Sequence, residues 1–170
     1  MPIFRSSLAA CRRAAPLVLA CALAACAEYL GTSFSQIAPP ELGGREPQPG
    51  GQCWLETVNG VQPGEPWQVS RQRRVVFRGW ALDGATLSTS VWLVVRLRNA
   101  GGRYYAVTWA RANREDVGRA LGKGPGIAQA GFELIGTLQQ VPPGTYDIDL
   151  VIGVPTGPVL CPSGRKLVDF

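Results

Sequence analysis

The chain has 170 residues, a formal net charge of +5 and no histidine. Without histidine it cannot form serine–histidine–aspartate or cysteine–histidine catalytic groups, or the usual zinc ligand sets. Three of its 17 basic residues precede residue 14, and the 14 that follow stand against 12 acidic residues, a net charge of +2. That balance lacks the strong basic face of nucleic-acid-binding proteins, so no nucleic-acid partner is expected.

Residues 1–25 have the three zones of a bacterial secretory signal. Arginines come first, and the apolar run over residues 14–25, at 12 residues, is too short for a hydrocarbon core that needs about 20. The run ends in Leu-Ala-Ala-Cys, which resembles the lipobox of bacterial lipoproteins. This resemblance implies cleavage before Cys26, a diacylglyceryl group on its sulfur and an acylated amino group such as a palmitate. An ordinary signal cut beside a cysteine is the alternative.

Ala27, not aspartate, follows the cysteine, and in diderm bacteria the resemblance then implies sorting to the outer membrane. We therefore expect a lipid-anchored protein of the bacterial cell envelope, on the outer membrane and facing the periplasm. The membrane would be its partner through the acyl chains, because two or three such chains anchor a protein stably.

Residues 26–51 contain four prolines and several glycines but no sustained apolar periodicity. Such a composition is typical of an extended, lipid-anchored tether. The folded domain is then expected over residues 52–170, a length that suits a single domain.

The domain retains two cysteines, Cys53 and Cys161. In an oxidising compartment two cysteines are most simply a disulfide, which would make the first and last parts of the domain neighbours. A pair of free thiols for redox chemistry or metal binding is the alternative. It has neither a Cys-x-x-Cys spacing nor a histidine to support it.

Short alternating apolar segments separated by turn residues predict strands over most of the domain. They cover residues 53–58, 73–82, 91–98, 103–109, 131–137, 146–152, 159–161 and 166–170. Asp147 and Asp149 alternate with apolar residues and are expected to point to water. Residues 113–121, with Asn113 as a possible N-cap, predict a short helix or helical turn. About seven strands and one helix predict an all-β, antiparallel, immunoglobulin-like sandwich.

Four short motifs resemble a small β-sandwich domain of bacterial envelope proteins that is also appended to some bacterial glycosyltransferases. They are Gly79-Trp80-Ala81-x-Asp83, Arg114-x-Asp116-Val117, Gly131-Phe132 and Pro143-Gly144-x-Tyr146. The function of that family is generally unassigned, so the resemblance over residues 53–153 implies a fold and an accessory role. The chemistry of the same residues favours a structural role. Glycine permits close approach of neighbouring groups, the arginine can bind a loop to carbonyls or a carboxylate, and the phenylalanine can fill the core. A binding surface on the same face is the alternative.

Catalytic groups are hard to find in this sequence. Asp147 and Asp149 would lie about 7 Å apart on one strand face, but alternating acids on an exposed strand are usually solvated. The glycine-rich stretch over residues 122–126 contains a proline and has no Ser or Thr after its lysine, so it is not a phosphate-binding loop. We expect no enzyme, no catalytic residue, no metal and no cofactor.

A positive face is the main binding hypothesis. The alternation places Arg74 and Arg78 on one strand face, and Trp92, Arg96 and Arg98 on another. If those faces meet, they would suit phospholipid head groups, lipopolysaccharide phosphates or acidic glycans. A solvated face balanced by scattered acids is the alternative.

These observations predict a non-enzymatic β-sandwich module for binding or assembly at the membrane surface, with an envelope protein, an anionic lipid or a glycan as its possible partner. The alternative is a carbohydrate-binding accessory domain that recognises an envelope polysaccharide or lipopolysaccharide through Trp92 and its arginine neighbours. A hydrolase without a recognisable motif is the third possibility.

Overall fold

Two β-sheets pack face to face in the computed structural model, which describes residues 32–64 and 66–170. The predicted signal peptide over residues 1–25 and the lipidation site Cys26 lie outside the described residues. The predicted all-β sandwich with a short helix is confirmed. Within the described residues, no helix combines the length and apolar character needed to cross a membrane.

The strands are short at the start of the domain and long at its end. In chain order they are β1 (Thr32–Ser33), β2 (Gln48–Pro49), β3 (Gly51–Val58), β4 (Trp67–Val69), β5 (Arg74–Asp83), β6 (Leu93–Asn99), β7 (Gly102–Thr108), β8 (Arg111–Ala112), β9 (Gly131–Thr137), β10 (Gly144–Val154) and β11 (Gly157–Asp169). The helices are α1 (Glu115–Ala120) and two 3-10 segments, Pro40–Leu42 and Gly124–Ala130.

The first sheet has the strand order β1-β9-β5-β3, with β8 also paired to β9. The second sheet has the order β2-β11-β10-β6-β7, with β4 also paired to β11. The long neighbours pair antiparallel, whereas β1, β2 and β4 add short parallel edges. The predicted segments 159–161 and 166–170 are parts of the single strand β11, whose pairing with β10 shifts after Ile148.

The core lies between the sheets and follows the predicted alternation. Val75, Phe77 and Ala81 of β5 are buried there, as are the even-numbered apolar residues of β10. These side chains share one face of each strand because successive residues point to opposite sides. The phenol of Tyr146, deep in this core, donates a hydrogen bond to the Pro142 carbonyl at 2.7 Å.

Residues 34–50 form a strap across the outer face of the second sheet. Phe34 is fully buried in the main core, and Ser35 exchanges backbone hydrogen bonds with Tyr105 of β7. Leu42 packs with Val94 and Val151 on the outer face, before β2 pairs with β11 at the opposite edge. The tether predicted over residues 26–51 is therefore wrong from Thr32 onward.

The disulfide predicted between Cys53 and Cys161 is present, with 6.1 Å between the Cα atoms. It joins β3 of the first sheet to β11 of the second. The predicted helix is also present over a shorter range, but its N-cap is Arg114 and not Asn113. The Asn113 amide instead donates to the Glu115 carboxylate at 3.2 Å.

The sandwich has two ends, which we name after their short strands. At the β1 end, Ser33 and Arg74 both pair with Thr137. At the β8 end, the Arg111 guanidinium donates to the Ser90 carbonyl at 2.6 Å and so joins the first sheet to the start of β6.

Candidate functional site

The structure does not bring the predicted arginines together on one positive face. Arg74 and Arg78 belong to β5 of the first sheet, whereas Arg96 and Arg98 belong to β6 of the second. The apolar faces of both strands point into the shared core, so their other faces point in opposite directions. The predicted convergence on one anion is absent for this reason.

Arg96 and Asp149 form a buried ion pair on the outer face of the second sheet. The guanidinium donates two hydrogen bonds to one carboxylate oxygen, at 2.9 and 3.1 Å, and both side chains are 4% exposed. Arg98 also reaches Asp149, at 3.3 Å. The prediction that Asp149 points to water is wrong, because the strap and neighbouring side chains cover it.

Glu46 of the strap completes this network. Its two carboxylate oxygens accept hydrogen bonds from Arg96 at 3.3 Å and from Arg103 at 2.9 Å. Asp147 pairs with Lys166 at 2.8 Å, so each of the three acids here has a basic partner. The charges of Arg96 and Arg98 therefore hold the strap and β10 in place.

The other predicted binding residues have separate surroundings. Arg78 pairs with Glu133 of the neighbouring strand at 2.5 Å, and Arg74 is exposed at the β1 end. Trp92 is half-buried against Gly153, where an added Cβ would lie 2.1 Å from the indole ring. Trp92 thus has a packing role that requires glycine opposite it.

The motif residues form one connected unit in the first sheet. Gly79 pairs with Phe132, and Trp80 pairs with Gly131, on adjacent strands. A Cβ at Gly79 would lie 2.2 Å from the Trp54 carbonyl oxygen, so only glycine permits the irregular pairing of β5 with β3 at this point.

Arg114 fastens α1 to this sheet. It forms ion pairs with Asp116 at 2.6 Å and with Glu56 at 2.7 Å, and its stem lies over Gly131. The hydrogen bonds from Arg114 lower the pKa of Asp116 to about 2.

Asp83 closes the loop that follows β5 by accepting hydrogen bonds from the Ala85 amide at 3.2 Å and the Thr86 hydroxyl at 2.5 Å. The geometry of these contacts favours the architectural interpretation.

The β8 end carries an unusual, partly buried group, the guanidinium of Arg111. One of its nitrogens donates to the carbonyl and the hydroxyl of Ser90. Its Nε and Nη1 are buried without a hydrogen-bond partner, and no acid within the described ranges forms a salt bridge with it. Burial lowers the pKa of Arg111, as expected where no carboxylate offsets the loss of water.

Exposed apolar side chains stand at the same end. Val91 is 72% exposed and Trp109 is 56% exposed, and the pairing of Leu93 with Thr108 brings the chain segments that carry them side by side. Leu87, in the loop before β6, has a φ of 53°, which a side chain with a Cβ rarely adopts. We define Arg111, Val91 and Trp109 as the β8-end surface.

Sequence reasoning missed the β8-end surface. Arg111 lies in a two-residue strand, and its lack of an acidic partner depends on the packing of distant segments. In the sequence, Trp109 ends a predicted strand and is one of five tryptophans, and no local pattern shows that its side chain is exposed. The described residues contain no group of three or more potential metal-binding side chains. No protein-family model, curated protein or solved structure matches the chain.

Proposed function

We propose that this protein is an exported lipoprotein of the bacterial cell envelope, and that its β-sandwich is a non-enzymatic binding or assembly module. The sequence Leu-Ala-Ala-Cys before residue 27 supports the lipid anchor. The disulfide between Cys53 and Cys161 supports an oxidising compartment, where such bonds persist.

The observation that carries the binding proposal is the exposure of Val91 and Trp109 beside the partly buried Arg111. Arg111 has no acidic partner among the described residues, so its positive charge adds attraction for a carboxylate or phosphate of a partner bound beside these side chains. The exposed side chains of Val91 and Trp109 would cover apolar groups beside that anion. A segment of another envelope protein with an acidic and an apolar side chain fits this combination.

A carbohydrate is the second candidate, and Trp109 is the observation that favours it. An exposed indole can stack on the apolar face of a sugar ring, and Arg111 would then bind an acidic substituent such as a uronate. Under this alternative the module recognises an envelope polysaccharide or lipopolysaccharide.

Photo-crosslinking in living cells tests the proposal. A photoreactive amino acid at position 109 is expected to give a discrete product, and the same group at Ile135, on the outer face of the first sheet, serves as the control. Arg111→Lys keeps the charge and should retain most of the product, whereas Arg111→Gln removes the charge and should reduce the product. A protein product supports assembly, and binding of a purified acidic glycan that Trp109→Ala abolishes supports the alternative. If the variants are folded and neither a crosslinked protein nor glycan binding is found, the binding proposal is refuted.

A further inference from the structure

A basic loop lies at the β1 end, far from the β8-end surface. It connects β4 to β5 and, counted with Arg74, the first residue of β5, has the sequence Ser-Arg-Gln-Arg-Arg over residues 70–74. Arg73 and Arg74 are exposed, and no described acidic side chain forms a salt bridge with either. Arg71 donates a hydrogen bond to the Gln139 carbonyl at 3.1 Å, which holds the loop against the end of the first sheet.

The first described residues of the chain lie beside this loop. Ser33 pairs with Thr137, and Thr137 pairs on its other side with Arg74. Neighbouring strands are about 4.8 Å apart, so the backbones of Ser33 and Arg74 are about 10 Å apart. The basic loop and the point where the chain enters the sandwich are therefore on the same end of the molecule.

We infer that the β1 end rests on the membrane and that Arg71, Arg73 and Arg74 bind the phosphates of anionic phospholipids. The inference rests on the lipid anchor of the proposed function. Cys26 precedes Thr32 by six residues, and six residues span at most about 20 Å whatever their conformation. An acyl chain on Cys26 thus keeps the basic loop within reach of the head groups.

The basic loop and the β8-end surface lie at opposite ends of the sandwich, so contact of the loop with the membrane would turn the β8-end surface away from it. The 11 residues of β10 run from one end of the sandwich to the other and rise about 35 Å. Arg111 and Trp109 would then face outward, where a partner can reach them. At the β1 end, the exposed ring of Phe170 adds an apolar contact beside Arg71, whose amide donates to the Phe170 carbonyl at 3.4 Å.

Charge is the reason to expect lipid at this end. A cationic residue near an anionic bilayer strengthens binding by about fivefold, so the two unpaired arginines together contribute about 25-fold. The contribution must fall with salt, because the Debye length shrinks from about 10 Å at 0.1 M to about 3 Å at 1 M.

Site-specific fluorescence quenching tests the orientation. Lipidated full-length protein is purified from membranes and reconstituted into vesicles of phosphatidylethanolamine with or without phosphatidylglycerol, together with a quencher on the lipid head groups. A dye is attached at Gln72→Cys in the basic loop or at Thr156→Cys in the turn between β10 and β11; both positions are exposed. We expect stronger quenching at position 72, an increase with phosphatidylglycerol, and loss of that increase in 1 M salt.

The variant Arg73→Ser/Arg74→Ser should lose the response to phosphatidylglycerol. Its matched control is Arg45→Ser/Lys123→Ser, which removes the same charge from exposed positions elsewhere and should keep the response. Equal quenching at both dye positions, or an unchanged response in the arginine variant, overturns the inference. A response to a soluble acidic polysaccharide and not to lipid would assign the arginines to a glycan and also overturn it. Flotation of Cys26→Ser reports separately on the anchor.

Discussion

Arg96 and Asp149 meet across neighbouring strands and bury a full ion pair under the strap. Removing one partner of such a pair leaves a buried charge unpaired, which costs far more than the pair itself contributes. We expect Asp149→Ala to lower the free energy of unfolding by about 3 to 5 kcal/mol in urea denaturation. Asp147→Ala, which breaks an exposed pair with Lys166, should cost no more than about 1 kcal/mol. Similar losses for both variants would contradict the structural role given to Arg96.

Asp169 should make the protein more stable in mild acid than at neutral pH. Its carboxylate is 2% exposed and accepts no hydrogen bond from the described side chains, and burial raises its pKa although Arg71 opposes the shift. Because the pKa of Asp169 is raised in the folded state, its contribution to stability is fully present below its unfolded pKa of about 3.9. That contribution is lost as the pH rises through its folded pKa.

The variant Asp169→Asn isolates this effect. It removes the charge at nearly constant volume, so its melting temperature should exceed that of the parent at pH 7, and the difference should vanish below about pH 4. Melting curves of both proteins from about pH 4 to pH 7 measure this difference in melting temperature. A difference that does not change with pH would show that the carboxylate is not the cause.

Cys53 and Cys161 should be linked in the exported protein. Mass spectrometry of peptides made without reduction is expected to find them in one species. Because the bond closes a loop with a sequence separation of 108 residues, its loss in Cys53→Ala/Cys161→Ala should cost about 4 to 5 kcal/mol. Two free thiols in the folded protein would rule out this assignment.

Lipidation should depend on Cys26. Cys26→Ser is expected to accumulate as an uncleaved precursor or as soluble protein, whereas the parent should float with membranes in a density gradient. Normal processing and flotation of the variant would remove the basis of the lipoprotein proposal.

The sequence predicted the elements whose signals are local. The alternation in β5 and β10 identified the core residues. The count of cysteines identified the disulfide. Each of these features depends on residue types at short spacing, which a single sequence displays directly.

Features set by distant contacts were missed. The strap binds through Phe34 and Leu42, two isolated apolar residues among prolines and glycines, so no periodicity marks it. Whether the arginines of β5 and β6 share one face was left open by the sequence, because alternation does not show which sheet a strand joins. The burial of Asp149 and the unpartnered state of Arg111 follow from the same long-range packing.

The order of the strap and the disulfide along the chain determines how the domain would respond to a mechanical pull applied at Thr32. Force that enters at Thr32 loads the strap first, and the strap ends just before Cys53. Residues 32–52 can extend to at most about 75 Å, after which the cross-link passes the load to β11 and the main core. The strap would thus detach and extend by a limited length. The disulfide would then prevent the rest of the sandwich from unfolding under the load.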